Sequence, residues 1–131
     1  MNYMQDILVE ELPLPINYPV EFLDDQAPEE MGRIRIRVTD GNPDIICTAR
    51  RIGSATTQKR GSKFWTELEV YQTERHRFVG VEMGLGLGEA CEARCRVGVV
   101  RRLSELPEIF EYRPLSMKLY RSLGIETIEV P

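Results

Sequence analysis

The sequence predicts an α+β fold in which a twisted antiparallel sheet of four or five strands is covered on one face by C-terminal helices. Three observations support this class. Apolar and polar residues alternate through much of residues 33–100, helical spacing of apolar residues begins only after residue 103, and four prolines interrupt residues 1–31. A period of two is typical of half-buried strands, whereas prolines exclude a long helix. An extended acidic arm therefore precedes the sheet.

The 131 residues are sufficient for one domain with its own core. We divide the chain into an arm, residues 1–31, and a single α+β domain, residues 32–131. The N-terminus lacks the basic start and apolar stretch of a signal peptide. No apolar run approaches the roughly 20 residues of a membrane span. We therefore expect a cytoplasmic protein without membrane contact.

Charge is unevenly distributed along the chain. Residues 1–32 contain eight acidic residues and no Lys or Arg, whereas residues 33–102 contain fourteen Lys or Arg and eight acidic residues. Like charges concentrated in one segment usually have a partner, which is either the other half of the chain or another molecule. Two apolar islands in the arm, residues 7–9 and 20–23, are predicted to add an edge strand or lie across the domain, and a disordered leader is the alternative.

The first predicted hairpin begins with residues 33–38, where Ile34, Ile36 and Val38 point inward and three arginines point outward. Turn-forming residues at 39–44 lead to a second strand that starts at Ile45 and continues toward Ile52. Residues 53–63 form a polar stretch without apolar bulk. A loop of that length favours mobility or function.

The second predicted hairpin joins residues 64–73 to residues 78–83. Pairing Thr73 with Phe78 places Val70 opposite Val81, which gives the sheet one apolar and one charged face. The charged face is expected to carry cross-strand ion pairs. Its residues are Arg33, Arg35, Arg37, Glu67, Glu69, Glu82, Arg94 and Arg96.

The remaining elements follow from residue 84 onward. Glycines at 84, 86 and 88 could be a nucleotide-binding loop or a flexible break in the chain. Their spacing departs from the dinucleotide-binding fingerprint, which favours the flexible break. Residues 89–100 alternate as a strand, although 89–96 also have helical propensity. Ser104 and Glu105 indicate a helix start, and Pro114 opens a second helix that Gly124 ends. Residues 125–130 are a candidate last strand.

The three cysteines are expected to be free thiols, because an odd number is a poor disulfide framework. Cys91 and Cys95 are four residues apart, Cys47 is distant, and His76 is the only histidine. This spacing does not match a zinc site, so we predict no metal and no cofactor.

Two binding surfaces are predicted. A nucleic-acid surface would use basic side chains around the polar loop and one exposed aromatic residue for base stacking. Its residues are Arg50, Arg51, Lys59, Arg60, Lys63, Trp65, Arg101 and Arg102. The acidic arm would either neutralise this surface or bind a protein partner. Its residues for a partner are Glu10, Glu11, Asp24, Asp25, Glu29 and Glu30.

These patterns favour a small non-catalytic accessory or regulatory protein that binds another protein through the arm or a sheet edge. Nucleic-acid binding is the alternative. A homodimer through an uncovered edge is compatible with both. The sequence has no Gly-x-Ser-x-Gly turn that would present a catalytic serine, and its one histidine lies in a predicted exposed turn. An enzyme would need a site assembled from scattered residues, which is a third alternative.

Overall fold

A computed structural model describes residues 17–88 and 92–125. It shows one antiparallel sheet of six strands whose spatial order follows the chain order. The α+β class is confirmed, but the predicted count of four or five strands is wrong. The additional strand is a short segment that precedes Gly32 and pairs with the next strand, placing Val20 opposite Ile36. The strands are β1 Val20–Phe22, β2 Gly32–Ile36, β3 Ile45–Thr56, β4 Phe64–Thr73, β5 Phe78–Gly86 and β6 Arg94–Val100.

Short helices follow the sheet, as predicted. A 3-10 turn, Leu103–Glu105, leads into α1, Pro107–Phe110, and then into α2, Pro114–Ser122. Both helices begin with proline, whose fixed φ suits the first helical position. Gly124 follows α2 with a φ of 76° and so provides the predicted stop.

The predicted register of the β4–β5 hairpin is wrong by one residue. Gln72, not Thr73, lies opposite Phe78, so Val70 faces Gly80 and Leu68 faces Glu82. The cause is a three-residue loop in which His76 has a φ of 60° and the Thr73 amide donates to the Arg77 carbonyl. A left-handed residue at the end of a three-residue loop is a common hairpin geometry.

The expectation of one apolar and one charged sheet face is also wrong, because both faces are apolar. The corrected register places Glu67 beside Met83 and Glu69 beside Val81, on the same face as Trp65. The sheet curls into a half-barrel whose concave face encloses the first core. The largest members of that core are Ile34, Ile36, Trp65, Tyr71, Met83 and Leu85.

The second core lies between the convex face of the sheet and the C-terminal helices. It is built from Leu68, Val70, Val100, Leu106, Ile109, Phe110, Leu119 and Tyr120. Gly80 and Gly98 allow close contact, since a Cβ added at Gly98 would lie 2.7 Å from an Ile109 side-chain carbon and one added at Gly80 would lie 2.9 Å from the Phe110 ring. The missing side chains on β5 and β6 thus make room for α1.

An ion cluster on the convex face ties the helices to the sheet. Glu82 accepts hydrogen bonds from Arg96 at 2.7 Å and from Arg113 at 2.5 Å, and Arg96 also donates to the Ile109 carbonyl. Burial alone would raise the pKa of Glu82, but its hydrogen bonds and the charges of the two arginines outweigh burial and lower the pKa. The cross-strand pairing predicted for Glu82 and Arg96 is confirmed.

The polar stretch at 53–63 is shorter as a loop than predicted. β3 extends to Thr56 through a bulge between Arg51 and Gly53, and the loop comprises only residues 57–63. Similarly, β5 continues through Gly84 and Gly86, where a flexible break was expected. Pairing of both segments with β4 outweighs their weak strand propensity.

The seam of the half-barrel lies between the end of β2 and the start of β6. The Thr39 amide donates to the Cys95 carbonyl at 2.9 Å, and the Thr39 hydroxyl accepts from the Cys95 amide at 2.8 Å.

Residues 94–100 form a strand, the alternative that the sequence favoured over a helix. The first apolar island (residues 7–9), residues 89–91, and residues 126–130 of the candidate last strand at 125–130 lie outside the described residues, and Ile125 is not in a strand. None of the helices in the described ranges has the length and apolar character to cross a membrane.

Candidate binding surfaces

The predicted nucleic-acid residues do not form one surface. Lys59, Arg60 and Lys63 lie in the loop before β4, at the end of the sheet where β4 begins, whereas Arg50, Arg101 and Arg102 lie at the opposite end. The two ends are separated by the length of β5, which has nine residues. Nine residues span eight steps of about 3.3 Å, which is roughly 26 Å.

Two members of the predicted surface are not available to nucleic acid. Trp65 is only 5% exposed, and its Nε1 donates to Glu67 at 3.0 Å. Arg51 donates to Glu69 at 3.1 Å and to Glu29 at 3.0 Å. Alternation along β4 places Trp65 in the concave core, so the exposed aromatic residue is its neighbour Phe64, at 73%.

A basic cluster, here called the arginine end, lies where β4 turns into β5 and where β6 ends. It comprises Arg50, Arg75, Arg77, Arg101 and Arg102, all of which are exposed. Sequence reasoning missed Arg75 and Arg77. Their signal was the Arg-His-Arg turn, but only the sheet topology shows that this turn lies beside residues 101 and 102.

The geometry of the arginine end follows from the register. Arg50 lies opposite Gln72, Gln72 opposite Phe78, and Phe78 opposite Val100, so one row crosses four strands. With strands about 4.8 Å apart, the row spans roughly 14 Å. Arg77 and Arg101 are each one residue beyond the last pair of this row. Like charges directly opposite each other are destabilising.

The arginine end differs in its partners from the arginines that form ion pairs. The ion pairs found within residues 17–88 and 92–125 join Arg35 to Asp44, Arg51 to Glu29 and Glu69, and both Arg96 and Arg113 to Glu82. Within residues 17–88 and 92–125, the side chains of Arg75, Arg77, Arg101 and Arg102 form no ion pair, and Arg50 donates only to Gln72. The Glu105 carboxylate is occupied by the backbone amides of Arg101 and Arg102.

The opposite end carries a mixed surface. An open groove of about 1270 Å³ is lined in part by Phe64, Gly84 and Arg94. Asp40 and Glu92 also line this groove, so its charge is not uniformly positive. It is therefore a weaker candidate for a polyanion than the arginine end.

The acidic residues predicted to bind a partner are largely engaged within the chain. Asp24 accepts the Arg33 amide at 3.0 Å, Glu29 pairs with Arg51, and Glu30 accepts the Ala27 amide. Asp25 is exposed with a φ of 52°. Glu10 and Glu11 lie outside the described residues. The arm thus does neutralise one arginine of the predicted surface, Arg51.

A buried polar network was not foreseen. Glu69, predicted on a charged face, is 1% exposed and accepts from Tyr71 at 2.6 Å, from Arg51 at 3.1 Å and from Tyr18. Burial and the Glu69 carboxylate raise the pKa of both tyrosines, so their hydroxyls stay protonated and donate. Tyr18 precedes β1, 51 residues from Glu69, so no local pattern could have indicated this contact.

The thiols and the histidine form no shared site in the described part of the chain. Cys47 and Cys95 are free thiols, as predicted, and burial raises the pKa of Cys95 to about 12. Cys91 lies outside the described residues. Nowhere in the described ranges do three His, Cys, Asp or Glu side chains meet as a metal site would require.

Comparison of this chain with protein-family models, with curated proteins and with solved structures finds no match.

Proposed function

We propose that this protein binds nucleic acid through the arginine end by contacting the phosphate backbone without reading the sequence. The observation that carries the proposal is the set of exposed arginines at one end of the sheet that find no carboxylate partner among the described residues. By contrast, Arg35, Arg51 and Arg96 of the same sheet each pair with a carboxylate.

The chemistry of the arginine end suits phosphates. A guanidinium group presents several donors in a planar fork, which matches two phosphate oxygens, and its charge is never lost at physiological pH. The row of roughly 14 Å spans several backbone phosphates. Because Trp65 is buried and the exposed Phe64 lies at the other end of the sheet, this surface lacks the stacking platform predicted from the sequence. Backbone contact alone gives little sequence preference.

The test is fluorescence anisotropy with labelled single- and double-stranded DNA and RNA over a range of salt concentrations. The double variant Arg75→Ala/Arg77→Ala should bind more weakly, and the slope of log K against log salt should fall by about 1 for each phosphate that is no longer neutralised. Both residues are exposed in a hairpin loop, so each substitution should change the free energy of unfolding by about 0.5 kcal/mol or less.

The matched control is Lys59→Ala/Lys63→Ala, which removes the same charge from the opposite end of the sheet. This variant should retain the wild-type salt slope. Equal losses of affinity in the two double variants would indicate nonspecific attraction to the whole basic middle of the chain. Absence of wild-type binding at low salt would contradict the proposal.

A second candidate function, protein binding through a sheet edge, is favoured by the outer edge of β6, which no strand in the described part of the chain covers. The Cys95 backbone is hydrogen-bonded to Thr39 across the seam, on the side of β6 that faces away from β5. Because backbone groups alternate in direction along a strand, the amides and carbonyls of Val97 and Val99 also point away from β5. Neither backbone has a hydrogen-bond partner among the described residues beyond that edge. Val99 is 56% exposed. Such an edge accepts an added strand from another protein or from a second copy.

Self-association tests this edge directly. Sedimentation at increasing concentration should show a dimer that Val99→Lys abolishes, since a lysine on an edge strand disfavours pairing. Ile46→Lys is the control, because Ile46 is similarly exposed, at 53%, on a different strand. If the protein is a monomer at all concentrations and the amides of Val97 and Val99 exchange freely with solvent, a second copy does not bind at this edge.

A further inference from the structure

The concave side of the half-barrel contains a cavity of about 450 Å³ that is separate from both the arginine end and the β6 edge. This volume falls within the range of small-molecule sites in proteins. Aromatic, hydroxyl and charged side chains share its wall. The lining residues are Tyr18, Phe22, Pro28, Arg51, Ser54, Ala55, Thr56, Glu67 and Glu69.

The wall of the cavity has a formal charge of −1, from two carboxylates and one guanidinium. Arg51 is already bound by Glu69 and by Glu29, so an anionic ligand would have to compete with two carboxylates for it. Glu69 is satisfied by three donors of the protein and is therefore a fixed negative wall.

Glu67 is the acidic group that remains for a ligand. Its described partners are the Trp65 indole and the Thr56 hydroxyl, both neutral donors. Burial raises the pKa of Glu67, with the nearby Glu69 charge acting in the same direction. The charge of the nearby Arg51 acts in the opposite direction, but Glu67 forms no ion pair with it. A half-buried carboxylate without an ion pair is unfavourable for folding, and such groups are concentrated at functional sites.

We propose that this cavity binds a small organic ammonium ion that carries an apolar body. The ammonium group would bind the Glu67 carboxylate and the hydroxyls of Ser54 and Thr56, two exposed residues that line the cavity. The apolar body would pack against Tyr18 and Phe22. Cations are attracted to the faces of aromatic rings, which adds to the ionic contact.

The chain contains its own reporter for this site. Trp65 is the only tryptophan, and its indole N–H is bonded to Glu67. A cation that binds Glu67 should therefore change the fluorescence of Trp65. The probes are benzylammonium, benzyl alcohol and benzoate, which share one ring and differ in charge, and the protein is the full chain.

We expect a saturable fluorescence change with benzylammonium at an affinity at least about tenfold higher than for benzyl alcohol, and no saturable change with benzoate. Tenfold corresponds to about 1.4 kcal/mol of charge recognition. Calorimetry provides a second measurement that does not depend on the environment of Trp65. Equal affinity for the charged and neutral probes, or no saturable change with benzylammonium, would overturn the proposal.

Glu67→Gln isolates the charge, since the amide oxygen can still accept the Trp65 N–H. This variant should lose about tenfold in affinity for benzylammonium and keep its affinity for benzyl alcohol. Glu74→Gln, an exposed position in the hairpin loop, is the matched control and should bind as the wild type does. Unchanged benzylammonium affinity in Glu67→Gln would overturn the role of the carboxylate. Thr56→Val is a second variant, and its affinity for benzylammonium should also fall.

Discussion

Replacing Glu69 with alanine is expected to lower the free energy of unfolding by about 3–5 kcal/mol, the usual result when one partner of a buried ion pair is removed. The substitution leaves Arg51 with only the exposed Glu29, and it leaves the hydroxyls of Tyr18 and Tyr71 without their shared acceptor. The measurement is urea denaturation followed by circular dichroism.

Two further substitutions make this result specific. Glu74→Ala removes the same side chain from an exposed loop of the same hairpin and should change stability by about 0.5 kcal/mol or less. Glu69→Gln keeps one acceptor oxygen but removes the charge that faces Arg51, so its loss of stability should be intermediate. A loss of less than about 1 kcal/mol for Glu69→Ala would mean that the network is not a major stabilising feature.

The strands were predictable because alternation is a local property. The pattern of Ile34 and Ile36 between arginines identifies β2, and the observed strand buries both isoleucines. The short strand β1 was foreseen as one of two alternatives for its apolar island, an edge strand, but three residues carry too little periodicity to be counted among the predicted strands.

The faces of the sheet were not predictable with the same reasoning, because they depend on one loop. His76 takes a left-handed conformation, and histidine is one of the few residue types enriched there. A loop shorter by one residue moves Glu67 and Glu69 next to Met83 and Val81. A one-residue slip changes which side chains share a face, so the charged-face interpretation failed with the register.

The binding surfaces depend on long-range topology even more strongly. Arg50, Arg101 and Arg102 were identified from the sequence, but they were grouped with the loop that the structure places at the other end of the sheet. Arg75 and Arg77 join them only because β4, β5 and β6 are consecutive neighbours in the sheet. Tyr18 reaches Glu69 from the arm, a contact that no pattern near either residue indicates.

The convex core provides the second large stability prediction. Phe110 is fully buried at the end of α1 and lies above Gly80, where an added Cβ would come within 2.9 Å of the ring. Phe110→Ala should therefore lower the free energy of unfolding by about 3–5 kcal/mol, because the backbone of the sheet cannot move outward to fill the cavity.

Phe64→Ala is the matched control for Phe110→Ala, since it removes the same side chain from a position that is 73% exposed. Its effect should be about 0.5 kcal/mol or less. Similar losses of stability for the two phenylalanines in urea denaturation would contradict the packing of α1 on β5. A large loss confined to Phe110 would show that the sheet requires its short helices. Both faces of this sheet are apolar, and without the helices the convex face would be exposed to water. The stabilisation from burying that apolar surface would then be lost.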